Sequence, residues 1–168
     1  DKVLPSTLGY QRSTWAGNPS NPYDTSRSAS LGSSSGSALS VSANLVMASL
    51  GEETRASTRG PSNHNAVALI LPHKAMLGFD GGAIGADIYC DRSGIHARRL
   101  GDCAKILDAL KDSENGYYDP RDVYTTVPRS SVLDTTYASH VATGATENAL
   151  TGMRIGVVRE SMVYPEGS

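Results

Sequence analysis

The chain of 168 residues is poor in aromatic side chains, with one Phe, one Trp and eight Tyr, and it holds only two cysteines, Cys90 and Cys103. Two cysteines are too few for a disulfide scaffold and too sparse for a structural zinc site. No stretch approaches the roughly 18 consecutive apolar residues that a membrane helix needs, so no membrane span is expected. Charge of one sign is also lacking. Fifteen basic residues stand against seventeen acidic ones, a net charge of -2, and no basic footprint for nucleic acid is visible. His64, His73, His96 and His140 show no metal-ligand spacing, which points to surface or structural roles and to no metal site.

The chain does not begin with Met. Asp1-Lys2-Val3-Leu4 has neither the basic region nor the long apolar region of a leader, and Pro165-Glu166-Gly167-Ser168 follows directly on a strand-like run. The length allows one ordinary domain with a real core. Residues 1–168 are therefore expected to be a single segment of a longer protein, with the cytoplasm as its default compartment. No internal repeat is visible.

Residues 1–37 are rich in Ser, Pro, Asn and Gly. Gly17-Asn18-Pro19 and Asn21-Pro22-Tyr23-Asp24 are turn chemistry, since Pro fixes φ and Asn or Asp bonds its own backbone. Composition alone reads Leu31-Gly32-Ser33-Ser34-Ser35-Gly36-Ser37 as a flexible linker. It leads, however, straight into Ala38–Leu50, a run of small and apolar residues closed by Gly51, which predicts a buried helix with a glycine C-cap. Ala66–Leu71, stopped by Pro72, predicts a buried strand. Leu100, Cys103, Ala104, Leu107 and Leu110 recur at helical spacing, so an amphipathic helix is expected with Cys103 in its core face. Tyr117–Arg129 reads as a loop and Gly152–Arg159 as another strand; Tyr117-Tyr118 are equally suited to line a cleft or to cover a loop. Alternating helices and buried strands imply an α/β layered fold.

Two serine-bearing stretches flank the predicted helix, Gly32–Ser37 and Gly51–Pro61. Loops at opposite ends of one helix do not normally meet, and nothing in the spacing pairs them. Together, however, they resemble the motif of the amidase signature family, GGSSGGSA, then an apolar helix, then GTDTGGSIRIPA. Leu31–Ala38 resembles the first part and Gly51–Ser62 the second, and Ser33 and Ser57 keep the family's separation of 24 residues. Tyr23-Asp24-Thr25-Ser26-Arg27 is similar to the NPWDLSR lead-in, and Leu71-Pro72-His73 to LKPT. Gly94-Ile95-His96-Ala97-Arg98 with the helix after it resembles GPMARTVEDAALLLDAL, and Leu150–Val157 resembles LKGLRIGVPRE.

The resemblance implies a mixed sheet core flanked by helices on both faces, and hydrolysis of a carbon–nitrogen amide bond by a Ser–cis-Ser–Lys triad without metal or organic cofactor. By motif position Ser57 is the nucleophile, a weak one until a base takes its proton. Ser33, on a cis peptide bond, relays that proton, and the backbone amides of Thr54, Arg55, Ala56 and Ser57 form the oxyanion hole. The family's lysine belongs upstream of residue 1, in the rest of the polypeptide; Lys2 is too close to the serine loop to replace it. Glu53 and Arg59 stand at the family's Asp and Arg positions as support for the loop. The usual Gly-Gly before the nucleophile is Arg55-Ala56 here, and side chains there narrow or re-aim the hole.

Three readings follow from the resemblance: an amidase acting on a small-molecule amide, the glutaminase subunit of a tRNA-dependent amidotransferase, or a catalytically inactive binding or scaffold protein. The oligomeric state is open, with a homodimer among the options. A Ser57–His64 couple rests on proximity in sequence alone, and Arg98-Arg99 reads as helix-start structure and solvent face.

Overall fold

The computed structural model describes residues 13–29, 31–77, 90–111, 117–119, 122–127, 135–144 and 149–159. It opens with a small hairpin, β1 (Ser20–Asn21) and β2 (Asp24–Ser28), paired antiparallel. Its turn is made as the sequence predicts, by the Asn21 side chain accepting a hydrogen bond from the Tyr23 N–H at 2.9 Å. Then come α1 (Ser35–Ser42), β3 (Ala48–Glu53), α2 (Arg59–His64), β4 (Ala68–Ile70) and a 3-10 turn at Lys74–Met76. After these follow β5 (Arg92–Ala97), α3 (Leu100–Leu110), the hairpin β6 (Tyr117–Asp119) and β7 (Asp122–Val127), and α4 (Tyr137–Gly144).

The central sheet has the order β3-β5-β4, with β5 antiparallel to both neighbours. Successive strand residues point to opposite faces, and β5 uses both. Ile95 and Ala97, fully buried, turn toward α3 and form the core with Cys103 and Leu107, joined by Ala48, Ala68 and Ile70 from the neighbouring strands. Gly94 and His96 turn the other way, toward Thr58, Gly51 and Ser34. Helices thus cover both faces, in an α/β fold. Cys103 sits in the core as its spacing predicts; its Sγ lies 3.3 Å from the Ile95 carbonyl, and burial pushes the thiol pKa up. The α3–α4 contact is fixed by Asp108, whose carboxylate accepts from the N–H groups of Tyr137 at 2.7 Å and Ala138 at 3.0 Å.

Three expectations are corrected. The run Ala38–Leu50 is not one helix. The helix ends at Ser42, the chain reverses through Asn44 (φ 65), and residues 48–53 are strand β3. Small residues and scattered serines carry no period strong enough to hold a helix through a reversal that β5 rewards with a full ladder. The segment Tyr117–Val127 is a hairpin, with Pro120 and Arg121, like Lys2 and Arg129, outside the described residues. The run Gly152–Arg159 forms no strand among the described residues: Gly152 takes φ 81 in a turn, the Met153 N–H bonds the Leu150 carbonyl, and Met153, Ile155, Val157 and Val158 are exposed. Among the described residues no helix is long and apolar enough to cross a membrane.

Candidate active site

The reversal at Asn44 solves the geometric problem of the two serine stretches. Because β3 returns along α1, the loop after β3 arrives at the start of α1, where the first stretch lies. Serine hydroxyls hold the two together. Ser37 donates to the Leu50 carbonyl at 2.8 Å, and Ser49 donates back to the Ser37 carbonyl at 2.7 Å. Ser34 donates to the Glu52 carbonyl at 3.0 Å and accepts from the Glu52 N–H at 3.1 Å. Finally the Ser34 N–H bonds the carbonyl of Ser57 at 3.1 Å. A segment that composition reads as a linker is here a row of donors and acceptors for a strand edge.

Close approach needs glycine. A Cβ on Gly32 would stand 2.9 Å from both the Cα and the carbonyl oxygen of Ser57, closer than folded chains allow. Ser33, next to it, is exposed, and Ser57 is half-buried. Among the described residues neither hydroxyl makes a hydrogen bond, nor do the backbone N–H groups of Arg55, Ala56 and Ser57. Three amides in one turn beside a free hydroxyl are the donors an oxyanion requires. Arg55 and Ala56 are exposed, and the Thr54 hydroxyl is taken by the carboxylate of Asp91. The cis bond expected at Ser33 is not present: the described peptide bonds are all trans, the ordinary state of a non-proline bond.

The turn is braced from inside by Glu53, whose side chain is wholly buried. One carboxylate oxygen accepts from the Thr58 N–H at 3.0 Å, the Thr58 hydroxyl at 2.8 Å and the Arg59 N–H at 3.0 Å. The other takes the Arg59 guanidinium at 2.6 Å, with Arg92 at 3.7 Å. Burial opposes the charged form, but the donors from Arg59 and Thr58 outweigh it and hold the carboxyl below the usual glutamate range. The supporting role read for Glu53 and Arg59 is the geometry observed.

His64 is not coupled to Ser57. Its ring nitrogen is engaged by the Ser28 carbonyl, and its own carbonyl receives the Asn21 side chain at 2.6 Å, so it anchors the β1–β2 hairpin. Arg98, read as solvent face, reaches back to the Val41 carbonyl at 3.1 Å and to the Asn44 side chain, clasping the reversal. Sequence reasoning misses two residues, Ser34 and His96. Ser34 is hidden in a serine run; His96 is wholly buried under the serine loops. The signal for His96 is its place in the GPMAR-like stretch, where a polar ring stands for an apolar Met.

Comparison with known proteins shows the family. The family model described as Amidase matches residues 6–167. A glutamyl-tRNA(Gln) amidotransferase subunit of Cupriavidus necator is 35% identical over 144 residues, 83% of this chain and 27% of the relative. A probable amidase of Arabidopsis thaliana is 36% identical over 138 residues, 82% of this chain and 25% of the relative. The native peptide amidase of Stenotrophomonas maltophilia superposes with a TM-score of 0.64 at 32% identity, covering 79% of this chain and 25% of that one. The chain thus spans about a quarter of the length of the relatives it matches. Two serine loops joined back to back, and a match over almost every residue, lead to one conclusion: the chain belongs to the amidase family, the amidase signature proteins.

Proposed function

We propose that this chain carries the nucleophile and oxyanion parts of a serine amide hydrolase. Ser57 Oγ attacks the carbonyl carbon of a small-molecule amide, and its proton passes through Ser33 to a lysine supplied by the rest of the polypeptide. The tetrahedral oxyanion is received by the amides of Thr54, Arg55, Ala56 and Ser57. The carbon–nitrogen bond breaks, the amine leaves with a proton, and water then cleaves the Ser57 ester to release the carboxylate. No metal or organic cofactor enters these steps. The observation that carries the reading is the Ser34 N–H to Ser57 carbonyl bond, which fixes the two serine loops to each other beside a turn of free amides. Similarity to a peptide amidase supports an amide as substrate.

A second reading, the glutamine-hydrolysing subunit of a tRNA-dependent amidotransferase, is favoured by the 35% identical relative of that name. A third, an inactive binding or scaffold protein, is favoured by Arg55-Ala56 in place of Gly-Gly.

The test is intact-mass analysis of the full-length polypeptide after treatment with a fluorophosphonate. One adduct on the natural protein and none on Ser57→Ala is the expected result. No adduct on a folded protein overturns the hydrolase reading and leaves the third. Hydrolysis of glutamine only when partner subunits are added selects the second.

A further inference from the structure

His96 lies at the middle of β5, opposite Ser49 of β3 on one side and Leu69 of β4 on the other. It is fully buried, and neither ring nitrogen has a hydrogen-bond partner among the described residues. The ring is pressed against the point where the serine loops join. A Cβ on Gly51 would fall 2.8 Å from His96 Cε1 and 2.7 Å from Ser34 Oγ, so the ring and that hydroxyl flank the same glycine. Ser34 is the residue whose hydroxyl holds Glu52 and whose N–H holds Ser57.

Around the ring, β3 brings one charge, Glu53, already held by Arg59 and Arg92. The start of α1 brings the neutral Ser34, the turn before α2 the neutral Thr58, and β4 the apolar Leu69. An apolar side chain would fill this space without leaving two buried nitrogens unpaired. A polar ring kept there in its neutral form holds shape at neutral pH and stops fitting once it takes up a proton.

We propose that His96 is a positioning residue of the serine site: its neutral ring holds Gly51 against Ser34, and its protonation loosens the join between the two serine loops. An imidazolium has two N–H donors, and neither ring nitrogen closes a hydrogen bond among the described residues. The Ser34 hydroxyl flanks the same Gly51 as the ring, and turning it toward the ring takes it from the Glu52 N–H, which frees the segment whose N–H holds Ser57. Burial pushes the His96 pKa below the ordinary value; the Thr58 and Ser49 backbones and the Glu53 charge pull the other way without closing a hydrogen bond to either nitrogen. The ring is therefore neutral at pH 7, and the loosening belongs to pH below the ordinary histidine pKa. Its consequence for catalysis rests on the hydrolase reading above; the loosening itself does not.

The experiment compares the full-length natural protein with His96→Met and His96→Gln by amide hydrogen exchange at pH 7.5 and 5.5, corrected for intrinsic exchange. Protection of the segments holding Ser34 and Glu52 is expected to fall about tenfold or more on acidification in the natural protein, and to hold in both variants. Equal pH response in all three overturns the proposal. Should the variants fail to fold, the NMR titration of the His96 ring in the natural protein decides: a midpoint at or above that of a free histidine overturns it, a lower one supports it. Fluorophosphonate labelling is run in parallel. Labelling that falls more steeply with acid in the natural protein than in His96→Met supports the proposal. The expected exchange pattern with no labelling at either pH supports the proposal on His96 and overturns the hydrolase reading.

Discussion

Replacing Glu53 by Ala tests which interactions hold the turn around Ser57. The carboxylate receives the Thr58 N–H at 3.0 Å, the Thr58 hydroxyl at 2.8 Å and the Arg59 N–H at 3.0 Å, and Thr58 is fully buried. Each buried donor left without an acceptor costs about 1–3 kcal/mol. Some relaxation of the turn reduces the total, so a loss of about 3–5 kcal/mol is expected, the range for breaking a buried charged network. The Arg59 guanidinium makes the shortest contact, 2.6 Å, yet its side chain is 59% exposed. Solvent screens that pair, and Arg59→Ala is expected to cost only about 0–1 kcal/mol. Urea denaturation followed by far-UV circular dichroism measures both; Trp15, 94% exposed, is a poor fluorescence reporter of unfolding. The pH dependence gives an independent check. Because the folded carboxyl is held below its ordinary range, its contribution is complete above the unfolded glutamate pKa and is lost as pH falls through the folded value. The natural protein should lose stability more steeply on acidification than Glu53→Ala. Equal costs for Glu53→Ala and Arg59→Ala would refute the view that backbone and hydroxyl donors, not the ion pair, carry the turn.

Gly32→Ala forces a methyl to within 2.9 Å of the Ser57 backbone; it is expected to destabilise the protein by about 1–3 kcal/mol and to slow fluorophosphonate labelling of Ser57 by tenfold or more. Asp108→Ala removes the acceptor of the first N–H groups of α4; a loss of about 0.5–2 kcal/mol in urea denaturation is expected, with faster hydrogen exchange at Tyr137 and Ala138.

The parts legible in the sequence are those where one face decides. Leu100–Leu110 buries Cys103, Ala104 and Leu107 against the sheet, so its spacing states its helix and the middle of its core face, while Leu100 and Leu110 at its ends are exposed. Within Ala66–Leu71, bounded by Pro72, Ala68–Ile70 ladders with β5 as a strand, though half-buried instead of fully buried. Ala38–Leu50 misleads because alanine and serine suit helix or strand, and the break at Asn44 needs no Gly or Pro. Its strand half is specified by Ser49↔His96 and Gly51↔Gly94, pairings with residues more than 40 positions away. The same distance hides the site. Ser33 and Ser57 are visible through a family motif, whereas the contacts that join their loops, through Ser34, Gly32 and Gly51 of the same motif, depend on a chain reversal that the motif does not state. His96 escapes notice because burial against another element leaves no trace in its immediate neighbours.

The position of β5 sets the order in which this region can be assembled. It is the middle strand of the sheet but the last of the three in the chain, and β3 and β4 touch it rather than each other. Until Arg92–Ala97 has left the ribosome, β3, which carries the Ser57 loop and bonds the Ser34 loop, has no partner strand in its sheet. Closing that long interval carries the entropy of a non-local contact, which slows folding relative to helical neighbours. The turn around Ser57 is thus complete as a sequence well before it exists as a shape, and a nascent chain stopped short of β5 holds Ser57 without the scaffold that fixes it.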